Sequence, residues 1–348
     1  MLNDVVIDWF CLINSKGIGP KTFWAMMRSY KSAKESLKHT PTPYPKKEAE
    51  KVLKSLSCEI ILANDGDFPK SLRRSSSCPP ILFFKGDKSI LSKRKIAIIG
   101  ARNASINGKT IAKNLAANLS KEFAIVSGLA RGIDTSAHLG SLEDINDKAS
   151  IAVLPFGFSN IYPKENKYLF EKIAENGLVL TENPLGSLVE QGMFHSRNRI
   201  ITLLSEAVIV VEAAAKSGTM ATAKLALDFG CEVLVVPGSP IDPRNFGSNL
   251  LIKNGAILIQ NYFDVLDSLG VQEIKIEPKE ADTKEKSDIL DKSEEILSLL
   301  SEAPVTLDEL ASHTNIDMRS LLCIISDLEI SGKIVKCSTN EIVLTRSH

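Results

Sequence analysis

Several features are missing from this 348-residue chain, and each absence removes a class of function. No stretch approaches the ~20 consecutive apolar residues of a membrane-spanning helix. The six cysteines, Cys11, Cys58, Cys78, Cys231, Cys323 and Cys337, form no C-x-x-C pair, which argues against zinc ligation and against a disulfide framework. They are expected to be reduced, partly buried thiols. The pattern G-x-x-x-x-G-K-[ST] is absent, and so is G-x-G-x-x-G after the apolar run Lys95–Gly100; neither a P-loop NTPase nor an NAD enzyme fits. No cofactor is expected. MLNDVVIDWF at the start lacks a basic segment ahead of an apolar one, so a secretory leader is not expected and the expected location is the cytoplasm.

What is present is a neutral chain with unevenly spread charge. Residues 1–95 hold 18 Lys and Arg against 9 Asp and Glu, whereas residues 289–348 hold 5 against 10. A basic front and an acidic tail imply different partners for the two ends, although two solvated faces would look the same. The length predicts two or three domains.

Residues 1–57 read as a helical domain. Ile7, Phe10, Cys11 and Ile13 recur on one helical face, and INSKGIGPKTFWAMM places two glycines around Ile18 before a helix opened by Pro20. This is similar to a helix-hairpin-helix, and equally to a plain helical turn in which packing explains Trp24 and Met27. Residues 58–268 alternate strand and helix patterns. Strands are predicted at KIAIIG (95–100), FAIVSG (123–128), SIAVLP (150–155), LVLTE (178–182), AVIVVEA (207–213), EVLVVPG (232–238) and AILIQ (256–260). Such short apolar runs suit strands buried on both faces. Between them, Ile111, Leu115 and Leu119 share a helical face, and a further helix ends at Gly230. The fold class expected is α/β, a Rossmann-like doubly wound parallel sheet with right-handed crossovers. Residues 269–288 form a charged linker, and 289–348 show the helix, helix, turn, helix and hairpin order of a winged helix, with Thr306 and Asp317 as N-caps.

Ligands of open α/β sheets bind beyond the carboxyl ends of the strands. The loops there offer Ala101, Arg102, Asn103 and Ser105; Ser127, Gly128, Arg131, Gly132 and Asp134; Lys216, Ser217, Gly218 and Thr219; and Ser239, Arg244, Gly247, Ser248 and Asn249. The helix entering the strand at 207 adds Arg197 and Arg199. Small residues admit a ligand to backbone amides, helix N-termini supply aligned N–H groups, and Arg or Lys supplies charge. So many donors fit a polyanion better than a single phosphate. Catalytic parts are sparse: Ser127 and Ser217 have no adjacent histidine in sequence, and His138 and His195 are their candidate spatial partners. Glu182, Glu212 and Asp134 sit at strand ends, where a carboxylate commonly holds an arginine or caps a helix.

FPKSLRRSSSCPPILFFKGD, IAIIGARNAS, IVSGLARGIDTSAH, IYPKENKYLFEKIAENG, FHSRNRIITLLSEAVIVVEAAAKSGTMATAKLALDFG and VPGSPIDPRNFGSNLLIKNGA resemble, in order and spacing, the DNA processing protein A family, also called Smf. The likeness spans roughly residues 68–256. It implies a non-enzymatic binder of single-stranded DNA that protects incoming strands in natural transformation, loads the recombinase RecA and dimerises through its Rossmann-like core. By this resemblance the family's G-S-R turn falls on Gly100-Ala101-Arg102, its strand-binding lysine on Lys216, its SGLARGID loop on Ser127 to Asp134, and its arginine pair on Arg197 and Arg199. With the neighbouring donors, the expected DNA-binding set is Gly100, Arg102, Ser127, Gly128, Arg131, Gly132, Arg197, Arg199, Lys216, Ser217, Gly218, Thr219 and Asn249. The chain departs from the family at Ala101, at Pro155 and Phe156, and at His195. Bases need flat or apolar surfaces, for which Met220, Phe156 and Phe246 are candidates.

Two rival classes have specific weaknesses. A nucleotide-processing enzyme similar to the nucleoside-monophosphate phosphoribohydrolases would share Ser217-Gly218-Thr219, but its helix-entry glutamate is replaced by Met220, Ala221, Thr222 and Ala223. A duplex-reading regulator would use the winged helix, yet its presumed recognition helix offers Arg319 against Asp317, Asp327 and Glu329. That surface suits a protein contact better.

Overall fold

The computed structural model describes residues 3–144, 149–159, 161–183 and 191–271, and beyond them 296–297, 299–300, 305–314, 316, 318–330, 333–336 and 341–344. Two compact units emerge, residues 1–271 and 272–348.

In the first unit nine strands form one sheet: β1 (Glu59–Leu62), β2 (Ile81–Gly86), β3 (Lys95–Gly100), β4 (Ala124–Ser127), β5 (Ser150–Leu154), β6 (Leu178–Thr181), β7 (Ala207–Val211), β8 (Glu232–Val235) and β9 (Ile257–Leu258), in the order β1-β2-β6-β5-β4-β3-β7-β8-β9. From β6 through to β9 every pair is parallel. Strands β1 and β2 have no counterpart in the sequence reading; β2 runs antiparallel to β6 and carries β1 outside it. The purely parallel sheet expected therefore gains an antiparallel edge, whose run ILFF is as apolar as the central strands because it is buried on both faces.

The helices are α1 (Asp4–Ile13), α2 (Pro20–Tyr30), α3 (Ala33–Lys38), α4 (Lys46–Ser55), α5 (Lys70–Arg73), α6 (Ile106–Leu119), α7 (Ile133–Ser141), α8 (Lys167–Asn176), α9 (Gln191–Leu204), α10 (Gly218–Asp228), α11 (Phe246–Lys253) and α12 (Tyr262–Ser268). Alternation along β3 assigns them to layers. Ile96 and Ile98 pack with Leu115, Leu119, Ile133 and Val265, whereas Ala97 and Ile99 join the other core with Ile173, Ile200 and Ala223. Gly230 closes α10 in the left-handed conformation, φ +69°.

The N-terminal helices share that second core. Phe10 meets Phe83 of β2 edge-on at 6.4 Å, and Trp24 donates its indole N–H to the Cys78 carbonyl at 2.8 Å. Residues 1–57 thus pack as part of the same compact unit as the sheet, and Trp24 fills the packing role read from sequence. The turn between α1 and α2 takes Gly17 to φ +81°, and Pro20 is the first residue of α2.

The second unit contains β10 (Val305–Thr306), α13 (Leu307–Thr314), α14 (Met318–Ile330), β11 (Ile334–Lys336) and β12 (Glu341–Leu344), with strands ordered β10-β12-β11. Thr306 caps α13: its hydroxyl accepts the Glu309 N–H at 3.2 Å while Glu309 accepts the Thr306 N–H at 2.9 Å. The Asp317 cap, most of the helix expected at 289–300, the linker at 272–288 and the Arg319 side chain lie outside the described residues.

Candidate nucleic-acid interface

Chain order reverses at β3: β4, β5 and β6 extend to one side, β7, β8 and β9 to the other. The loops after β3 and β7 therefore diverge and leave a crevice beyond their carboxyl ends. A cleft of about 610 Å³ occupies this place, lined by Gly100, Ala101, Arg102 and Asn103, by Phe194, His195 and Arg197 of α9, and by Ser217, Gly218 and Thr219.

The floor depends on Gly100. A Cβ there would overlap the Val211 carbonyl and lie 2.6 Å from Ile133 Cγ1. Ala101 donates its N–H to Glu212 O at 2.8 Å and accepts from Ile133 N at 3.2 Å. Both bonds are backbone bonds, so alanine in place of the family's serine leaves the turn intact.

One wall is the first turn of α10. Ser217 occupies the N-cap position with extended backbone, yet its side chain caps nothing, and Oγ is buried without a partner. Thr219 Oγ1 donates to Gly100 O at 3.1 Å, tying this turn to the floor. Gly218 is exposed with open space where a Cβ would stand. Lys216 is exposed immediately before it. The arrangement presents unsatisfied amides and a positive dipole end to the cleft, the complement of an anion; Lys216 is the next residue along the chain but does not itself line the cleft. Met220 to Ala223 place no carboxylate in this turn.

The opposite wall, after β4, is closed on itself. Asp134 accepts N–H bonds from Gly128 at 3.2 Å and Ala130 at 3.3 Å. Burial pushes its carboxyl upward, opposed by Arg197 and by these donors. The Arg197 guanidinium fills the space a Gly128 side chain would need, 4.0 Å from Asp134. Burial pushes its pKa down to about 10; Asp134 pulls it up and Arg102 depresses it further. Gly132, at φ +76°, packs against the Ala101 and Arg102 carbonyls and could carry no side chain. Arg131 is exposed and pairs with Glu165.

Several residues of the expected DNA-binding set are engaged in internal bonds. Ser127 is buried with its hydroxyl on Ile98 O at 2.7 Å. Arg197 is 6% exposed and lies beneath the Gly128 loop. Arg199 is held by Glu182, itself raised in pKa by burial against the pull of that arginine. Asn249 brackets Gly238, accepting its N–H at 3.2 Å and donating to its carbonyl at 2.9 Å. Phe156 is fully buried, and Met220 packs against Gly247; neither presents an open platform. Phe246 is exposed but does not line the cleft. Of the expected set, Gly100, Arg102, Arg197, Ser217, Gly218 and Thr219 line it.

The residue that sequence reasoning missed is Phe194. Arg102 lies over its ring at 5.2 Å, and Tyr162 meets it edge-on at 6.4 Å. An adjoining pocket of about 290 Å³ shares Arg102, Phe194 and Arg197 with the cleft and adds Arg131, Pro155 and Tyr162. The available signal was spacing: Phe194 precedes Arg197 by one helical turn and shares its face.

The strand-end carboxylates are all engaged. Glu182 and Asp134 hold arginines as described. Glu212 accepts the Ser105 N–H at 2.8 Å and its hydroxyl, at the N-terminus of α6, where Gly108 leaves room for it. His138 is buried with Nδ1 against Ser150 Oγ at 2.8 Å, and burial, then Arg197, lower its pKa to about 3. Among the described residues no group of three or more His, Cys, Asp and Glu could hold a metal. No helix among them is long and apolar enough to cross a membrane.

The family model described as DNA recombination-mediator protein A matches residues 59–270, the core that builds this cleft. The chain belongs to the DprA/Smf family. A DprA-like N-terminal HHH domain model matches residues 3–54, and a DprA winged helix domain model matches 277–338. Protein Smf from Synechocystis sp. is 31% identical over 95% of this chain and 97% of its own length. DNA processing protein DprA from Bacillus subtilis is 40% identical over 60% of this chain and 70% of its own. Among solved structures, DprA from Streptococcus pneumoniae aligns with a TM-score of 0.60 at 35% identity, covering 64% of this chain and 77% of that one. DprA from Helicobacter pylori, described for its single-stranded DNA binding mode, aligns with a TM-score of 0.56 at 31% identity, covering 62% of this chain and 96% of that one.

Proposed function

We propose that the chain is a non-catalytic, sequence-tolerant binder of single-stranded DNA and that the strand crosses the cleft at the β3/β7 switch point. The observation that carries this reading is the pairing of an open helix N-terminus with the Arg102–Phe194 stack in one cleft. Phosphates go to Arg102, Lys216 and the amides of Gly218 and Thr219. A base goes against Phe194, which only an unpaired strand can offer. The H. pylori relative described as binding single-stranded DNA supports the ligand class. Engagement of Glu182, Glu212, Asp134 and His138 in internal bonds supports binding rather than catalysis. Family membership supports a place in natural transformation and recombination in the cytoplasm, with RecA loading and a homodimer through the Rossmann-like core as the accompanying proposals.

Fluorescence anisotropy with labelled single and double strands across a salt series tests this. The Arg102→Ala/Lys216→Ala variant should bind single strands about 100-fold more weakly, at about 1.5 kcal/mol for each charge-assisted contact. Its log–log salt slope should be flatter by about 1.4, two phosphate contacts at about 0.7 each. Wild type that ignores single strands, or a variant that binds them unchanged, would overturn the proposal.

A further inference from the structure

A second concave surface begins where the central cleft ends. His195 lines both the cleft and a groove of about 580 Å³ that runs between the N-terminal helices, the Ser75–Ser77 turn and α10. This groove continues through Lys21, Ser77, Ser196 and Arg199 into another of about 500 Å³ along the α1–α2 turn. The described surface is therefore one track, whose far end belongs to the helical hairpin.

The chemistry of the track matches the chemistry of the cleft. Lys21 enters from the start of α2 and Lys224 from α10, both exposed, and among the described residues neither has an ion-pair partner. Between them lies Arg199, whose Nη2 is taken by Glu182 but whose Nη1 is buried without a partner. Phe229, 38% exposed, and Leu225 give the same groove an apolar side. Among the described residues, Asp228 on this rim has no ion-pair partner; Glu182 is occupied by Arg199. Cations flanking an exposed aromatic edge are the features that hold a single strand by backbone and base together. Local backbone places Lys21: Pro20 is the first residue of α2, and a Cβ at Gly17 or Gly19 would meet open space.

We infer that a DNA strand leaving the central cleft passes over His195 and Ser196 into this groove, where Lys21 and Lys224 each contact a phosphate and Phe229 contacts a base. This rests on the single-strand reading above and extends it: the N-terminal helical segment is part of the strand-binding surface, and the site is longer than the Rossmann-like cleft alone.

Oligonucleotide length separates the two claims. Anisotropy titrations of the full chain would compare oligothymidylates from about 4 nucleotides, enough for one cleft, to about 16, within the range of single-strand sites. Lys21→Glu/Lys224→Glu should bind the shortest strand as wild type does and the longest at least 10-fold more weakly. Lys21→Gln/Lys224→Gln should flatten the long-strand salt slope by about 1.4. Both pairs are at exposed positions, and unchanged short-strand binding doubles as the check on folding. If wild type binds and both variants match it at every length, the track is overturned and the cleft stands. Equal weakening at all lengths also overturns it, because the lysines would then act on the cleft. Failure of wild type to bind any length would overturn the cleft itself.

Discussion

The two walls of the cleft draw on the same few residue types and use them in opposite ways. After β4, glycine, serine and arginine serve the protein: Asp134 takes the amides of Gly128 and Ala130, Ser127 faces inward, and Arg197 fills the space under Gly128. After β7, glycine and serine are left open: Ser217 caps nothing and Gly218 faces empty space. The difference arises from what each loop finds opposite it. A carboxylate in the first turn of α7 closes the first; α10 brings no acidic residue to its first turn, so the second keeps its positive end open.

That contrast breaks most severely at Arg197. Arg197→Ala leaves Asp134 buried without its counter-charge and should lower unfolding free energy by about 3–5 kcal/mol in urea titrations. Gly128→Ala should act in the same direction by displacing the guanidinium, whereas wild-type stability in either variant would mean the β4 wall is not a closed internal network. Acid titration sharpens the picture next. The unfolded chain protonates His138 near the ordinary histidine value and the folded chain only near pH 3, so in between the unfolded state binds more protons. Stability should therefore fall as pH drops through this window, by up to about 1.4 kcal/mol per unit, and His138→Asn should remove that component of the slope. On the open side, Phe194→Ala should leave the melting curve in place and weaken single-strand binding by about 1–3 kcal/mol, the usual worth of one base–aromatic stack. Gly218→Ala should likewise stay within about 0.5 kcal/mol of wild-type stability, because its methyl meets nothing. A loss as large as that of Gly128→Ala would erase the distinction between the walls.

Much of the fold was legible in the residues. The central strands read as short apolar runs because both faces are covered, and the parallel set lies where those runs predict. The hairpin glycines, Pro20, Gly230 and the Thr306 cap act locally, so local sequence specifies them. The antiparallel pair β1 and β2 was not legible, since nothing in ILFFKG states which strand it will join or in which direction. The site divided along the same line. Arg102, Ser217, Gly218 and Thr219 could be nominated from their places after strands, but the inward roles of Ser127, Arg197, Arg199 and Asn249 depend on partners 29, 63, 17 and 11 residues away.

By itself, then, the sequence determined which segments become the parallel strands, several of the helices and turns between them, and which loops concentrate anion-binding groups. These are properties of nearest neighbours and of periodicity, and they need no knowledge of what packs against them. Tertiary structure alone decided which of those groups face the cleft. The reversal of strand order at β3 opens the crevice, α9 brings Phe194 to Arg102, and burial converts Arg197 from a surface cation into the floor of the opposite wall. Whether a polar group binds outward or inward is set by the counterpart that folding places opposite it.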